Sequence, residues 1–416
     1  MTYEDLTKCL SCGGSRLEQY LHLGNSIVPA NTYVDNYSAV TDLYRAPLQV
    51  RVCLDCWHSQ LSVAVDPEIL FSHYLYVSGT TSSLQVHFDE LVDWVLRTTP
   101  NLAARMGKLS ILDIGANDYS LLRAFQKRKA GCLEGFDPSS NLSHLAGDIP
   151  AVVDFWGTRT WHKTTQSPYD VILGLNVFAH NLNPLDFLRA CRRVLAPEGR
   201  IVLEMPDFKQ SIFQKRSFTQ IYHEHINYFS VNSMMTLVER AGMRIVDIVE
   251  LPEIHDGTLR FVIKDGTGAH HPKAKEMIQV EYLIGMQDLS SYNDLALNIY
   301  GNCQELFSLL TKYWKEGRPV IAYGASAKFS TLWSYVFKKD NPFRFIVDNN
   351  PLKHQKMQID SDLRIYPAEH ILGEDNPVIL ITPDNFFSEI HQRLLTMGAS
   401  PATLVRYCPT VSIEEI

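Results

Sequence analysis

The chain contains two copies of a strand, glycine turn and helix pattern, and this repetition restricts the fold more than any other feature. In the first copy, an apolar run at residues 109–114 ends at Gly115 and a helical pattern follows. In the second copy, residues 319–323 end at Gly324 in the same way. Each copy continues into another strand that ends in an acid about twenty residues later. The pattern predicts two doubly wound α/β units, each with a ligand site at its glycine turn.

Polar residues end successive strands of the first unit, at the edge where a doubly wound sheet binds its ligand. A single glycine followed by Asn117 and Asp118, instead of three spaced glycines, favours S-adenosylmethionine over a dinucleotide. A dehydrogenase remains the alternative because its turn is similar. Asp137 can accept hydrogen bonds from both hydroxyls of a ribose. The predicted cofactor residues are Asp113, Gly115, Asn117, Asp118, Asp137, Asp154, Phe155 and Asn176.

Four of the eight cysteines form two pairs with two residues between partners: Cys9 with Cys12, and Cys53 with Cys56. Such short knuckles turn both thiolates toward one tetrahedral ion, so the two pairs predict a structural zinc site with no open position. Free thiols or a redox pair are the alternative. The spacer between the pairs is long, and we expect it to form a hairpin of its own.

Composition excludes several classes of function. The 416 residues carry a net charge of −8, which argues against nucleic-acid binding but leaves an anionic small substrate open. No apolar run approaches the length of a membrane span, and the first residues do not resemble a signal peptide. We therefore expect a cytoplasmic protein of two or three domains, a monomer by default, with no nucleic-acid or membrane partner.

Residues 222–225 read Tyr-His-Glu-His, which suits the abstraction of a proton from carbon. Histidine titrates near neutrality, and a neighbouring carboxylate or tyrosine can orient it. The alternative is a solvated aromatic loop. The run follows the strand that ends near Glu204, so it should reach the same edge of the sheet as His180, which follows the preceding strand.

Taken together, motifs along nearly the whole chain resemble those of the nucleotide-sugar C-methyltransferases, which act on dTDP-4-keto-deoxysugars at C-3 or C-5 and contain a class I S-adenosylmethionine-dependent domain. The motifs are the paired cysteines, Pro29-Ala-Asn31, residues 71–80, Phe178-Ala-His180, Tyr222-His-Glu-His225, His255-x-Gly-Thr-Leu-Arg260, Tyr323-Gly-Ala-x-Ala-Lys328 and Val347-Asp-x-Asn-Pro351.

The resemblance implies a zinc-binding module at 1–70, a methyltransferase domain at 71–265 and a Rossmann-like domain at 266–416, with the nucleotide sugar between the last two. It implies that His225 is the general base. The residues implied around the sugar are Tyr222, Glu224, His180 and Tyr76. The further residues implied in substrate binding are His255, Arg260, Tyr323, Gly324, Ala325, Lys328 and Asp348.

Two positions differ from the pattern of the family. Tyr119 stands where the family's turn continues Asn-Asp-Gly, and Asp256 adds a carboxylate where the family has His-Gly-Gly-Ser. The expected reaction is methylation of a 4-keto nucleotide sugar, most favoured at C-3, through an enolate formed by His225. The alternatives are methylation at C-5, another ketosugar, an epimerase-like activity, or a catalytically silent binding protein.

Overall fold

The structure is a computed structural model that describes residues 3–29, 33–35, 44–72, 74, 77–80, 82–100, 102–254 and 256–416. It confirms the predicted α/β class, with a four-cysteine unit followed by two Rossmann-like sheets. Among the helices of these residues, none combines the length and the apolar character needed to cross a bilayer.

The amino-terminal unit contains short, mostly antiparallel strands. They are β1 (Tyr3–Asp5), β2 (Leu17–His22), β3 (Tyr33–Val34), β4 (Gln49–Cys53), β5 (Ser59–Leu61) and β6 (Val63–Val65). Strands β2, β4 and β5 form one sheet, and Asn227–Tyr228 adds its fourth strand. The two ends of the spacer form the expected hairpin, since β2 pairs antiparallel with β4, whereas β3 between them pairs with Met357–Gln358 far along the chain.

The central unit is built on a seven-stranded sheet. Its strands are β7 (Leu109–Ile114), β8 (Gly131–Phe136), β9 (Ala151–Val152), β10 (Tyr169–Leu175), β11 (Leu195–Pro206), β13 (Met243–Leu251) and β14 (Thr258–Asp265), with β12 (Asn227–Tyr228) outside it. The order is β13-β14-β11-β10-β7-β8-β9, in which only β14 runs antiparallel to its neighbours. The order reverses between β7 and β10, and ligands bind at such a point.

Helices cover both faces of this sheet. They are α2 (Ser82–Arg97), α4 (Ser120–Lys127), α5 (Pro184–Val194) and α6 (Val231–Arg240), whereas α1 (Pro67–Phe71) packs on the amino-terminal unit and the short α3 (Leu102–Arg105) precedes β7. Leu112 and Ile172 enter one buried cluster with α5, whereas Ile111 and Val171 enter another with α2 and α4. Burial on both faces explains why these strands are continuous apolar runs in the sequence.

Two helices follow the central sheet: α7 (Pro272–Leu283), which buries Ala274 and Met277 in the core of the central unit, and α8 (Leu289–Lys315), which begins the carboxyl-terminal unit. Its other elements are β15 (Val320–Tyr323), α9 (Ala327–Leu332), β16 (Phe343–Val347), β17 (Met357–Gln358), β18 (Ile365–Tyr366), β19 (Val378–Ile381), α10 (Phe387–Met397), β20 (Thr403–Arg406) and β21 (Ser412–Glu415). The sheet order is β18-β16-β15-β19-β20-β21, which reverses between β15 and β19. Tyr20 and Leu21 share a buried cluster with Tyr292 and Ile299, so α8 packs against the amino-terminal unit.

Candidate active site

A cavity of about 700 Å³ lies at the carboxyl ends of β7 and β10, where the order of the central sheet reverses. All eight predicted cofactor residues line it, together with Phe71, Tyr74 and His180. Trp156 and Arg159 are among the lining residues that the sequence analysis missed. Their signal was position, because they lie in the loop after β9.

Hydrogen bonds fix the turn that follows β7. The Asn117 N–H donates to Asp137 Oδ2 over 2.8 Å, and the Asn117 side-chain oxygen accepts from the Ser78 N–H over 2.9 Å. Asp118 accepts from the Gly79 N–H over 2.9 Å. Gly115 has φ +77°, and a Cβ there would lie 2.8 Å from Val177 Cβ, so only glycine fits. The turn is therefore rigid and tied to the segment that precedes α2.

The cavity is acidic, which suits a cationic ligand. Burial raises the pKa of Asp113 well above its usual range, and repulsion from Asp137 and Asp118 adds to this. A sulfonium or ammonium group would relieve that repulsion. The residues present therefore fit S-adenosylmethionine: acids for its cationic end and ribose hydroxyls, and Phe155 and Trp156 for its apolar adenine face.

Tyr119 occupies its unusual position without closing this cavity. It has φ +63°, in the left-handed region, and its side chain is buried. Its ring fills the space above Gly135, where a Cβ would lie 2.4 Å from Tyr119 Cε1. Burial raises the pKa of the Tyr119 phenol to about 12. Tyr119 stands where the family has glycine, and Gly135 in the adjacent strand leaves the space that its ring needs.

His180 and His225 stack at the edge of the cavity, with ring centroids 5.0 Å apart. Phe71 stacks on the other face of His180 at 5.5 Å. Burial lowers the pKa of His180 well below its usual range, and the proximity of His225 lowers it further. The buried Nε2 of His180 has no hydrogen-bond partner among the described residues. His180 is therefore a neutral imidazole beside the cofactor cavity.

The contacts of His225 determine its tautomer. Its Nδ1 lies 2.8 Å from the Gln220 carbonyl oxygen, which can only accept, so Nδ1 carries the hydrogen. The lone pair is then on Nε2, and the Tyr222 hydroxyl lies 2.8 Å from that atom. A backbone carbonyl leaves no trace in side-chain patterns, so the contact of Gln220 with His225 could not be predicted from residue types. Glu224 accepts a hydrogen bond from the Tyr74 hydroxyl over 2.8 Å.

The other predicted site residues fall into separate groups. Tyr76 and His255 lie outside the described residues. Tyr323 ends β15, Gly324, Ala325 and Lys328 come shortly after it, and Asp348 follows β16, so they share one edge of the carboxyl-terminal sheet.

Arg260 does not join that edge. Its Nε donates to Glu204 Oε1 over 2.6 Å, and its guanidinium lies 4.6 Å from the Trp94 ring. His87 bonds the other oxygen of Glu204 over 2.6 Å, in a buried cluster within the central unit. Arg260 therefore stabilises the buried Glu204 carboxylate and does not lie with the other predicted substrate-binding residues.

The four paired cysteines converge, and their sulfur atoms all lie within 4.8 Å of one another. Cys9 Sγ is 3.5 Å from Cys56 Sγ, and Cys12 Sγ is 3.6 Å from Cys53 Sγ. A tetrahedral zinc ion with Zn–S bonds of about 2.3 Å requires sulfurs roughly 3.8 Å apart. The thiolates therefore fit zinc, and His58 instead bonds the Asn227 side chain.

Three family models match consecutive parts of the chain. Residues 9–71 match one described as "Putative zinc binding domain", residues 85–248 one described as "Methyltransferase domain", and residues 253–409 one described as "C-methyltransferase C-terminal domain". The chain is also similar to C-methyltransferase NovU of Streptomyces niveus, with 28% identity over 398 residues that cover 92% of this chain and 91% of NovU.

Solved methyltransferases match the chain in part. Magnesium protoporphyrin IX methyltransferase of Synechocystis, with S-adenosylmethionine bound, is 12% identical with a TM-score of 0.33, over 44% of this chain and 79% of that one. An S-adenosylmethionine-dependent methyltransferase of Clostridium acetobutylicum is 9% identical with a TM-score of 0.34, over 43% and 92% of the two chains.

The comparisons confirm the predicted cofactors, S-adenosylmethionine and zinc. The matched methyltransferase domain, together with the similarity to C-methyltransferase NovU along nearly the whole chain, identifies the protein as an S-adenosylmethionine-dependent methyltransferase.

Proposed function

We propose that this enzyme methylates a carbon, with C-3 favoured, of a dTDP-linked 4-keto-deoxysugar through an enolate. The observation that carries the proposal is the stack of His180 on His225, because His180 also lines the cofactor cavity. In this proposal, the proton acceptor His225 lies next to the site of the methyl donor. Holding two reactants side by side converts a bimolecular step into an effectively unimolecular one and so raises its rate.

The substrate's ketone makes the adjacent carbon acidic, since the charge left by the proton delocalises onto oxygen. We assign the removal of that proton to Nε2 of His225, whose lone pair the Gln220 carbonyl fixes through Nδ1–H. The Tyr222 hydroxyl covers Nε2, so Tyr222 either moves aside or relays the proton. When bound, S-adenosylmethionine supplies an electrophilic methyl group to the carbon nucleophile so formed.

The developing oxyanion needs hydrogen-bond donors that are fixed before the reaction. His180 suits this role because its low pKa keeps it neutral, so it has one N–H to donate and adds no positive charge beside His225. Glu224, held by Tyr74, is suited to accept from a sugar hydroxyl. Tyr76 remains a further candidate from the sequence.

The nucleotide is proposed to lie between the methyltransferase domain at 71–265 and the Rossmann-like domain at 266–416, with the zinc-binding module at 1–70 beside them. The support is the reversal of strand order between β15 and β19, because open α/β sheets bind ligands at the carboxyl ends of strands at such a point. Lys328 follows β15 there and is the cation proposed to meet the phosphates.

Methylation at C-5 or of another nucleotide ketosugar uses the same residues and remains an alternative. The alternative of a catalytically silent binding protein rests on the altered turn at Tyr119. The Tyr119 ring packs over Gly135, so the turn accommodates this residue. The proposal is tested by mass spectrometry of dTDP-4-keto-6-deoxyglucose and its 2-deoxy and 3-deoxy relatives after incubation with enzyme and S-adenosylmethionine. A gain of one methyl group on carbon supports it, and binding of both ligands without any gain supports the silent protein.

A further inference from the structure

An ion pair joins the two α/β units at the crevice between β15 and β19. Lys328 follows β15, Asn385 follows β19, and the Lys328 ammonium donates to the Asn385 side-chain oxygen over 2.8 Å. Lys328 therefore bridges the two loops that border the point where the strand order reverses. A ligand of such a sheet is expected at this crevice.

The carboxylate in this crevice comes from the other unit. Asp256 lies in the loop between β13 and β14, and its Oδ2 is 3.2 Å from Lys328 Nζ. Both side chains are largely buried, at 16% exposure for Lys328 and 10% for Asp256. Lys215 Nζ also donates to the Asp256 carbonyl oxygen over 3.1 Å, which anchors the loop from its own unit.

The neighbouring charges leave Asp256 as the anionic partner of Lys328. Asp384 is the other acid nearby, and its Oδ1 accepts from Arg406 Nε over 3.1 Å. Among the described residues, Asp256 is the carboxylate within ion-pair distance of Lys328. A buried ammonium that loses its partner is costly, so any ligand that displaces Asp256 must supply a negative charge of its own.

We propose that the Asp256 carboxylate occupies the place of the substrate's phosphate, so that binding exchanges one anion on Lys328 for another. Asp256 then sets the affinity for the nucleotide part of the substrate without taking part in the chemistry. The proposal rests on the proposed function for the identity of the anion, a nucleoside diphosphate. It also explains how a largely buried lysine is held in position before substrate arrives.

The test is a titration of the full-length protein with thymidine diphosphate by calorimetry. Asp256→Asn keeps the shape and removes the charge, and Asp256→Gly suits the left-handed backbone, at φ +66°, while removing the side chain. We expect both variants to bind about tenfold more tightly, because the site is no longer occupied by a competing anion. Lys328→Met should bind more weakly than the wild type, and adding Asp256→Asn to it should restore nothing.

Asp360→Asn is the matched control. Asp360 pairs with Arg45 and Lys338 away from the crevice. The Asp360→Asn variant should therefore bind thymidine diphosphate with the affinity of the wild type. Unfolding temperature and S-adenosylmethionine affinity report on folding in every variant.

Equal or weaker binding by both Asp256 variants would overturn the inference, as would unchanged binding by Lys328→Met or the absence of binding by every protein. Failure of the proposed function is a separate observation. Thymidine diphosphate affinities that change as expected, with no ketosugar methylated, would keep the anion site and reject the reaction.

Discussion

The imidazole of His180 lies against that of His225, with the two rings inclined by 29°. The first belongs to the loop after β10 and the second to the loop that precedes β12, so two distant segments meet at one point. One ring borders the cofactor cavity, and the other has its lone pair on Nε2. His180 therefore lies between the cavity and His225, the proposed proton acceptor.

Replacing His225 by Asn should lower kcat by roughly 10²- to 10⁴-fold, which is the usual contribution of a general base. Affinities for S-adenosylmethionine and thymidine diphosphate should stay near the wild-type values. Steady-state kinetics and calorimetry measure both. His144→Asn, at an exposed position, is the control and should leave turnover unchanged. Full turnover by His225→Asn would show that the base is another residue.

Gly135→Ala should destabilise the protein by about 1–3 kcal/mol, because the new methyl group would overlap the Tyr119 ring. In a Tyr119→Gly background the same change should cost much less, since the ring is gone. Urea unfolding of the four proteins in this cycle measures the coupling. Gly373→Ala, which meets nothing within 4 Å, is the control. Equal costs in both backgrounds would contradict the packing described for Tyr119.

The free energy of unfolding should fall as the pH is lowered, because the buried His223 resists protonation. Burial lowers its pKa to about 4, and its Nε2 donates to the Pro47 carbonyl. In the unfolded chain the pKa is about 6.5, so the unfolded state binds more protons between these values. Stability is therefore fully present above about pH 6.5 and falls by up to roughly 1.4 kcal/mol per pH unit on acidification toward pH 4. Urea unfolding across this range should give a smaller slope for His223→Gln. An identical slope would refute the assignment.

Metal analysis should find about one zinc ion per chain, and chelation should lower the free energy of unfolding by roughly 3 kcal/mol or more. The cysteine knuckles contact α6, because Asn232 Nδ2 donates to the Cys56 carbonyl and Ser11 Oγ to that of Ser233. Cys53→Ser should lose the metal, and the exposed Cys132→Ser should keep it. A folded, metal-free wild type would contradict the zinc assignment.

The cofactor cavity could be predicted because its determinants are local in sequence. Each strand of the parallel sheet ends at a turn and a polar residue, so Asp113, Asn117 and Asp137 were identifiable from position alone. The sheet then brings them to one edge without further information.

Arg260 could not be assigned in this way, since its environment depends on pairing between distant strands. The register of β11 with β14 sets Arg260 directly opposite Glu204, and α2 adds His87. The match between Tyr119 and Gly135 is likewise a contact in space, and so is the pairing of β3 with β17. Such contacts depend on the folded arrangement and have no periodic signature in the chain.

In the proposed reaction, His225 forms a carbon nucleophile next to the methyl donor. This can be tested by incubation with S-adenosylmethionine and a dTDP-4-keto-6-deoxysugar in deuterated water, followed by mass spectrometry and NMR of the sugar. We expect one added methyl group on C-3 in the wild type, and strongly slowed methyl gain and deuterium uptake in His225→Asn. Methylation of an oxygen, or of carbon at the full rate in His225→Asn, would contradict it.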